Sequence, residues 1–138
     1  MQKIELLAPA GDLLKLKTAI NYGADAVYIG GEAFGLRTAS KNFDENSMRE
    51  AVEYAHERGK KIYLTTNVIP RNSDLDAFPK YIENVVKIGV DALIIADLGL
   101  FSYMRKNYPD FHLHISTQAN NTNYWSANAW YEMGAKRV

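Results

Sequence analysis

No cysteine occurs in the 138 residues, which excludes a disulfide staple or a thiolate metal site within them. Charge of one sign is also lacking. Sixteen Lys and Arg balance sixteen Asp and Glu, a formal net charge of +0, so bulk charge argues for no nucleic-acid partner and leaves room only for a local basic patch. No apolar run reaches the roughly 18 residues of a membrane span, and the opening MQKIELLAPAGD is broken by proline and glycine too early for a signal peptide. A cytoplasmic protein with no membrane partner is expected. Gly30-Gly31 and the Ala8 to Gly11 turn both lack the GxGxxG spacing, so no dinucleotide fingerprint exists. HExxH and GxSxG are missing as well, which removes a zinc-peptidase helix and a serine nucleophile elbow.

What is present is an ordered alternation. With 47% apolar and 23% charged residues, the chain suits one packed domain. Four phrases share one form: GADAVYIG from Gly23, GKKIYLTTN from Gly59, GVDALIIAD from Gly89 and GAKRV from Gly134. Each is a glycine able to end a helix, followed by a strand-like run. Apolar residues at helical spacing precede each glycine. Leu13, Leu16, Ala19 and Ile20 follow an Asp12 cap; Ala51, Val52 and Ala55 follow Ser47, with Glu50 as its capping-box partner; Ile82, Val85 and Val86 follow Pro79. Leu98 to Asn107 reads as a helix capped by Asp97, and Thr122 to Met133 as a fifth helix. Strands at Ile4 to Ala8 and Phe111 to Ile115 complete about five βα units and the start of a sixth strand.

Such alternation requires a parallel sheet covered by helices. Two closures compete: a doubly wound open sheet and a TIM-like (β/α)8 barrel. Polar residues gather after successive strands, at Glu32 and Arg37, Thr66 and Asn67, Asp97, and Ser116 to Gln118. That rim is where barrel sites are built, which favours the barrel. A barrel needs roughly 250 residues, so residues 1–138 read as a fragment of one, a partial barrel with uncovered edges that favour self-association.

In LHISTQANN, alternation places Leu113 and Ile115 on one face and His112, His114 and Ser116 on the other. If the apolar pair packs under helices, the histidines point into the barrel. His114 and Ser116 are the candidate catalytic residues, and Thr117, Gln118 and Asn120 the candidate substrate contacts, because imidazole can move a proton and amides can recognise carbonyls or base edges. For His114, a satisfied interior histidine is the competing reading. No metal-ligand spacing accompanies these residues.

The stretch VYIGGEAFGLRTASKNF offers a second rim loop, with Arg37 as an anion contact or as a partner of Glu32. Asn67 lies between the two loops. Glu5 reads as either a buried partner of a cation or a structural acid, Asp25 and Asp91 as turn residues, and His56 as solvated. Tyr63 and Tyr124 are candidates for stacking on a base.

The segments ELLAPAG, YGADAVYIGG, FGLRTASKNF, YAHERGKKIYLTTN, GVDALIIADLG and HISTQANNTN, followed by GAKRV, resemble in order and content the amino-terminal part of the collagenase-like peptidase family U32. The resemblance covers nearly the whole chain. It implies that residues 1–138 are the amino-terminal fragment of a TIM-barrel-like catalytic domain whose chain continues into another strand, an LARE-type segment and a cysteine-containing region. In relatives those cysteines hold an iron–sulfur cluster, so that cofactor is expected outside these residues and none within them.

The resemblance also implies a choice of chemistry. Members include RNA hydroxylation proteins, and the favoured expectation is hydroxylation of an RNA pyrimidine, tRNA wobble uridine to 5-hydroxyuridine, with prephenate as co-substrate. A collagenase-like protease acting on peptide is the alternative, and a structural or partner-binding domain a second. For the hydroxylation reading, Arg37 would supply the anion contact, and Asn67, His114, Ser116, Gln118 and Asn120 would line the base pocket.

Overall fold

The computed structural model describes residues 4–36 and 42–138. Local signals in the chain set most helix starts. Asp12 accepts a hydrogen bond from Lys15 N at 2.8 Å and opens helix α1, Leu13–Asn21; Asp97 accepts from Leu100 N at 2.8 Å and opens α5, Leu98–Asn107. These carboxylates satisfy amide groups that a helix start leaves bare. Between them run α2, Glu45–His56, the single turn α3, Asn72–Leu75, and α4, Phe78–Ile88, with Pro79 in its first turn. The last helix is α6, Tyr124–Glu132. Gly23, Gly59, Gly89 and Gly134 all have φ between 65° and 107°, the left-handed region where a side chain is strained.

The strands are β1, Leu7–Pro9, β2, Ala26–Gly30, β3, Lys61–Thr66, β4, Ala92–Ile95, and β5, His112–Ile115. They pair in parallel in the order β1-β2-β3-β4-β5. Side-chain alternation divides the sheet. Val27, Ile29, Ile62, Leu64, Leu93, Ile95, Leu113 and Ile115 pack beneath the helices, while Ala26, Tyr63 and Ala92 form a smaller cluster on the opposite face. Helix α4 meets the large core through Phe78, Ile82, Val85 and Ile88, all on one stripe. Each such side chain stabilises the fold by about 1.5–3 kcal/mol.

The smaller face is concave. After β5 the chain pairs again, with Ile115 N donating to Arg137 O at 2.8 Å and His114 bridged to Arg137. Arg137 Nη1 then reaches Glu5 Oε1 at 2.8 Å. Glu5 precedes the first strand and Arg137 lies on the start of the sixth. In a flat sheet five strand spacings would separate them by about 24 Å, so the sheet curls into most of a barrel. The doubly wound alternative is overturned by this contact and by the sequential strand order.

Several boundaries differ from expectation. The first strand starts at Leu7 rather than Ile4, because Leu6 N is taken by the Asp25 carboxylate at 3.0 Å. Helix α2 is capped by Asp44, not Ser47: the Asp44 carboxylate accepts both Ser47 N at 2.7 Å and Ser47 Oγ at 2.6 Å. The last helix begins at Tyr124, since Asn123 accepts from Ser126 N at 3.0 Å. Helix α3 was not expected.

Candidate functional site

The inward parity of β3 and β5 carries polar groups up to the carboxyl end of the sheet. There a cleft of about 480 Å³ opens, lined among others by Tyr28, Gly30, Gly35, Asn42, Thr65, Asn67, Ser116, Thr117 and Gln118. Its volume lies in the range of small-molecule sites. Among the described residues that line it, none carries a charged side chain. Neutral hydroxyls and amides face a tyrosine ring and glycine backbone instead.

The loop after β2 is fixed to the exit of β3. Phe34, at φ 61°, sets its ring 5.1 Å from both Phe78 and Tyr81. Its carbonyl accepts from Val68 N at 3.0 Å, and Asn67 Oδ1 accepts from Leu36 N at 3.3 Å. Packing of the aromatic ring offsets the cost of a left-handed non-glycine backbone. Gly31 has no room for a Cβ because the Tyr81 hydroxyl occupies that space. That hydroxyl is buried without a hydrogen-bond partner among the described residues, and burial, with the Glu32 charge, pushes its pKa up.

Ser116 begins the opposite wall. Its Oγ accepts from Gln118 N at 3.3 Å and opens a 3-10 turn, Thr117–Ala119, closed by Asn120 at φ 54°. The side-chain oxygen of a serine at that position tightens the turn, so Thr117 and Gln118 stand exposed at the lip. Thus the structure brings Asn67, Ser116, Thr117 and Gln118 to one cleft. Asn120 shapes the turn without lining the cleft. Arg37 lies outside the described residues.

His114 sits below. It is 7% exposed, and its ring packs edge-on against Tyr63 at 4.7 Å. Tyr63 donates to Glu5 Oε2 at 2.8 Å, and Arg137 lies 5.5 Å from the Tyr63 ring centre. Burial, reinforced by the Arg137 charge, pushes the His114 pKa down to about 4, and burial plus Glu5 pushes Tyr63 up to about 12. Burial alone would raise Glu5, but hydrogen bonds from Arg137 and Tyr63 outweigh it and hold the carboxyl below its usual value. The expectation that Tyr63 stacks on a base is therefore corrected: it is 3% exposed and committed to this network. Tyr124 is 69% exposed.

Two further placements differ from the sequence reading. Thr66 faces the helices at 0% exposure, and Thr65 lines the cleft instead. Alternation through Ile62 and Leu64 would have found this. His56 is not merely solvated, for its Nε2 lies 2.9 Å from Asp91. As turn residues, Asp25 and Asp91 behave as expected; Asp91 also accepts from Ile62 N at 2.8 Å. Tyr28 and Asn42 were not anticipated, and Tyr28 was legible from strand parity alone.

Among the described residues no three His, Asp or Glu side chains gather as a metal site. With no cysteine in the chain either, the residues here do not fit an iron–sulfur cluster.

Residues 11–138 match the model of Peptidase family U32. The chain belongs to that family. A relative from Helicobacter pylori, "tRNA hydroxylation protein P", is 44% identical over 139 residues, covering 100% of this chain and 33% of the relative. The Escherichia coli "23S rRNA 5-hydroxycytidine C2501 synthase" is 40% identical over 118 residues, covering 86% of this chain and 18% of the relative. This chain therefore spans a third or less of the length of these two relatives. A solved U32 peptidase structure superimposes with a TM-score of 0.79 at 15% identity, over 98% of this chain and 57% of that one, which supports the partial α/β barrel.

Proposed function

We propose that the protein carrying this chain hydroxylates an RNA pyrimidine, tRNA wobble uridine to 5-hydroxyuridine, and that the cleft described above receives the base. The observation that carries this reading is the cleft's lining: neutral amides and hydroxyls beside the Tyr28 ring. A flipped base needs hydrogen bonds to its edge and an aromatic or apolar surface for its face, and both are present. The names of the two curated relatives support RNA as the partner. A cytoplasmic location suits that partner, and no helix among the described residues is long and apolar enough to cross a membrane.

In this reading Asn67, Ser116, Thr117 and Gln118 touch the base. His114, one inward position below Ser116, is a neutral imidazole that steadies the wall. Arg37, next in sequence to the cleft residue Leu36, is assigned to a carboxylate of prephenate or to an RNA phosphate. Redox chemistry from an iron–sulfur cluster would need ligands from outside these residues. The peptidase alternative has less support: a serine nucleophile needs an adjacent base, and no hydrogen bond joins Ser116 to His114 among the described residues.

Mass spectrometry of tRNA nucleosides from a strain lacking the protein and its paralogues tests the proposal. Loss of 5-hydroxyuridine, restored by the wild-type full-length protein and not by its Ser116→Ala with Gln118→Ala variant, is expected. Unchanged hydroxyuridine in that strain overturns it.

A further inference from the structure

The hydrogen bonds within the cleft decide which of its groups can donate and which can only accept. Thr65 Oγ1 donates its single proton to Ile29 O at 3.1 Å. What it turns to the cleft is therefore a lone pair. Asn67 is fixed in the opposite sense. Its Oδ1 accepts from Leu36 N at 3.3 Å, and a backbone N–H can bond only to the oxygen of the amide, which leaves the Nδ2 protons for a ligand. Both side chains line the same cleft, Thr65 near the end of β3 and Asn67 just beyond it.

We propose that Thr65 and Asn67 form a fixed acceptor–donor pair that reads a lactam edge, a ring N–H beside a carbonyl. The inference rests on the base-binding reading above and sharpens it. Uracil presents N3–H to Thr65 and its O4 or O2 carbonyl to Asn67. Cytosine has an acceptor at N3, so on either side it would set acceptor against acceptor at Thr65, and on the C4 side its amino group would also set donor against donor at Asn67. Leaving such groups unmatched once a bound base covers them is what makes a polar site discriminate strongly. The polarity is a consequence of the main chain, because neither group can reverse without losing a bond to Ile29 or Leu36.

Glycines keep the acceptor reachable. A Cβ at Gly30 would lie 3.7 Å from Thr65 Oγ1 and one at Gly35 3.8 Å from it. Neither glycine has a left-handed φ, so backbone strain does not explain them. An alanine at Gly35 fits the fold and sets its methyl in van der Waals contact with the Thr65 hydroxyl, which narrows the approach to it.

The test titrates the full-length protein with three RNA stem-loops that differ at one loop base: uridine, 3-methyluridine or cytidine. The wild type is expected to bind the uridine loop at least tenfold more tightly than the other two. Thr65→Val should erase that preference, Thr65→Ser should keep it, and Asn67→Asp should shift it towards cytidine. Gly35→Ala, which keeps both reading groups, should narrow the preference and serves where Thr65→Val does not fold. Equal affinity of the wild type for all three loops, or a preference that survives both Thr65→Val and Gly35→Ala, overturns the pair while leaving RNA binding intact. No binding to any loop overturns the base-binding reading and the pair with it.

Discussion

At the mouth, Thr65, Asn67, Ser116 and Gln118 are neutral and line an open cleft. One inward position down the same strands, Tyr63 and His114 meet Glu5 and Arg137 in a network tied by two 2.8 Å hydrogen bonds. Thr65, Asn67 and Ser116 can exchange water for a ligand at little cost, because bonds to the main chain hold their side chains in place. In the lower layer Tyr63 and Arg137 both hydrogen-bond Glu5, and His114 packs edge-on against the Tyr63 ring, so these groups join the segment before β1, β3, β5 and the sixth strand across the concave face. Recognition and curvature are thus carried by adjacent layers, and substitutions in the two layers should separate stability from activity.

The largest expected effect is in the lower layer. Tyr63→Ala removes a ring that is 3% exposed and should destabilise the protein by about 3–5 kcal/mol, read from the denaturant midpoint. A pH titration should give the next. His114 has a folded pKa of about 4 against an ordinary 6.5, so between those values the unfolded chain binds a proton that the folded chain refuses. Stability should therefore fall as pH drops from 6.5 to 4, by up to about 3 kcal/mol, and His114→Phe should flatten that slope in urea unfolding. Asp97→Ala should cost about 1 kcal/mol through loss of the α5 cap, detectable as a lower melting temperature. The smallest stability change belongs to the mouth: Gln118→Ala should stay within about 0.5 kcal/mol of wild type. It should nonetheless reduce hydroxyuridine in a complemented strain, and an equal loss of stability would dissolve the contrast between the layers.

The sequence showed the barrel through its period. Four glycine-led phrases marked helix ends because only glycine takes the left-handed turn cheaply, and Asp97 was readable as a cap because a carboxylate stood immediately before an apolar run. Strand parity placed His114 inward for the same reason. The errors arose where a neighbour competed for the same backbone group. Ser47 looked like a cap until the Asp44 carboxylate took its amide and hydroxyl together, and Leu6 left the first strand because Asp25 captured its N–H. In the site, Asn67, Ser116, Thr117 and Gln118 were legible as polar residues after strands. The split of duty between Thr65 and Thr66 was not read, although alternation contained it. Contacts such as Glu5 with Arg137 depend on how far the sheet curls, which no local pattern encodes.

Strand order that copies chain order has a consequence for how the protein is made. Each new strand pairs with the one synthesised just before it, so most of the sheet requires only short loops to close, and the entropic cost of bringing distant segments together is deferred. A growing chain can therefore add one unit at a time as it leaves the ribosome, each docking on an edge already formed. The one described ion pair that must wait is Glu5 with Arg137, whose partners stand 132 positions apart. Its formation marks the moment at which a lengthening ribbon becomes a curved wall.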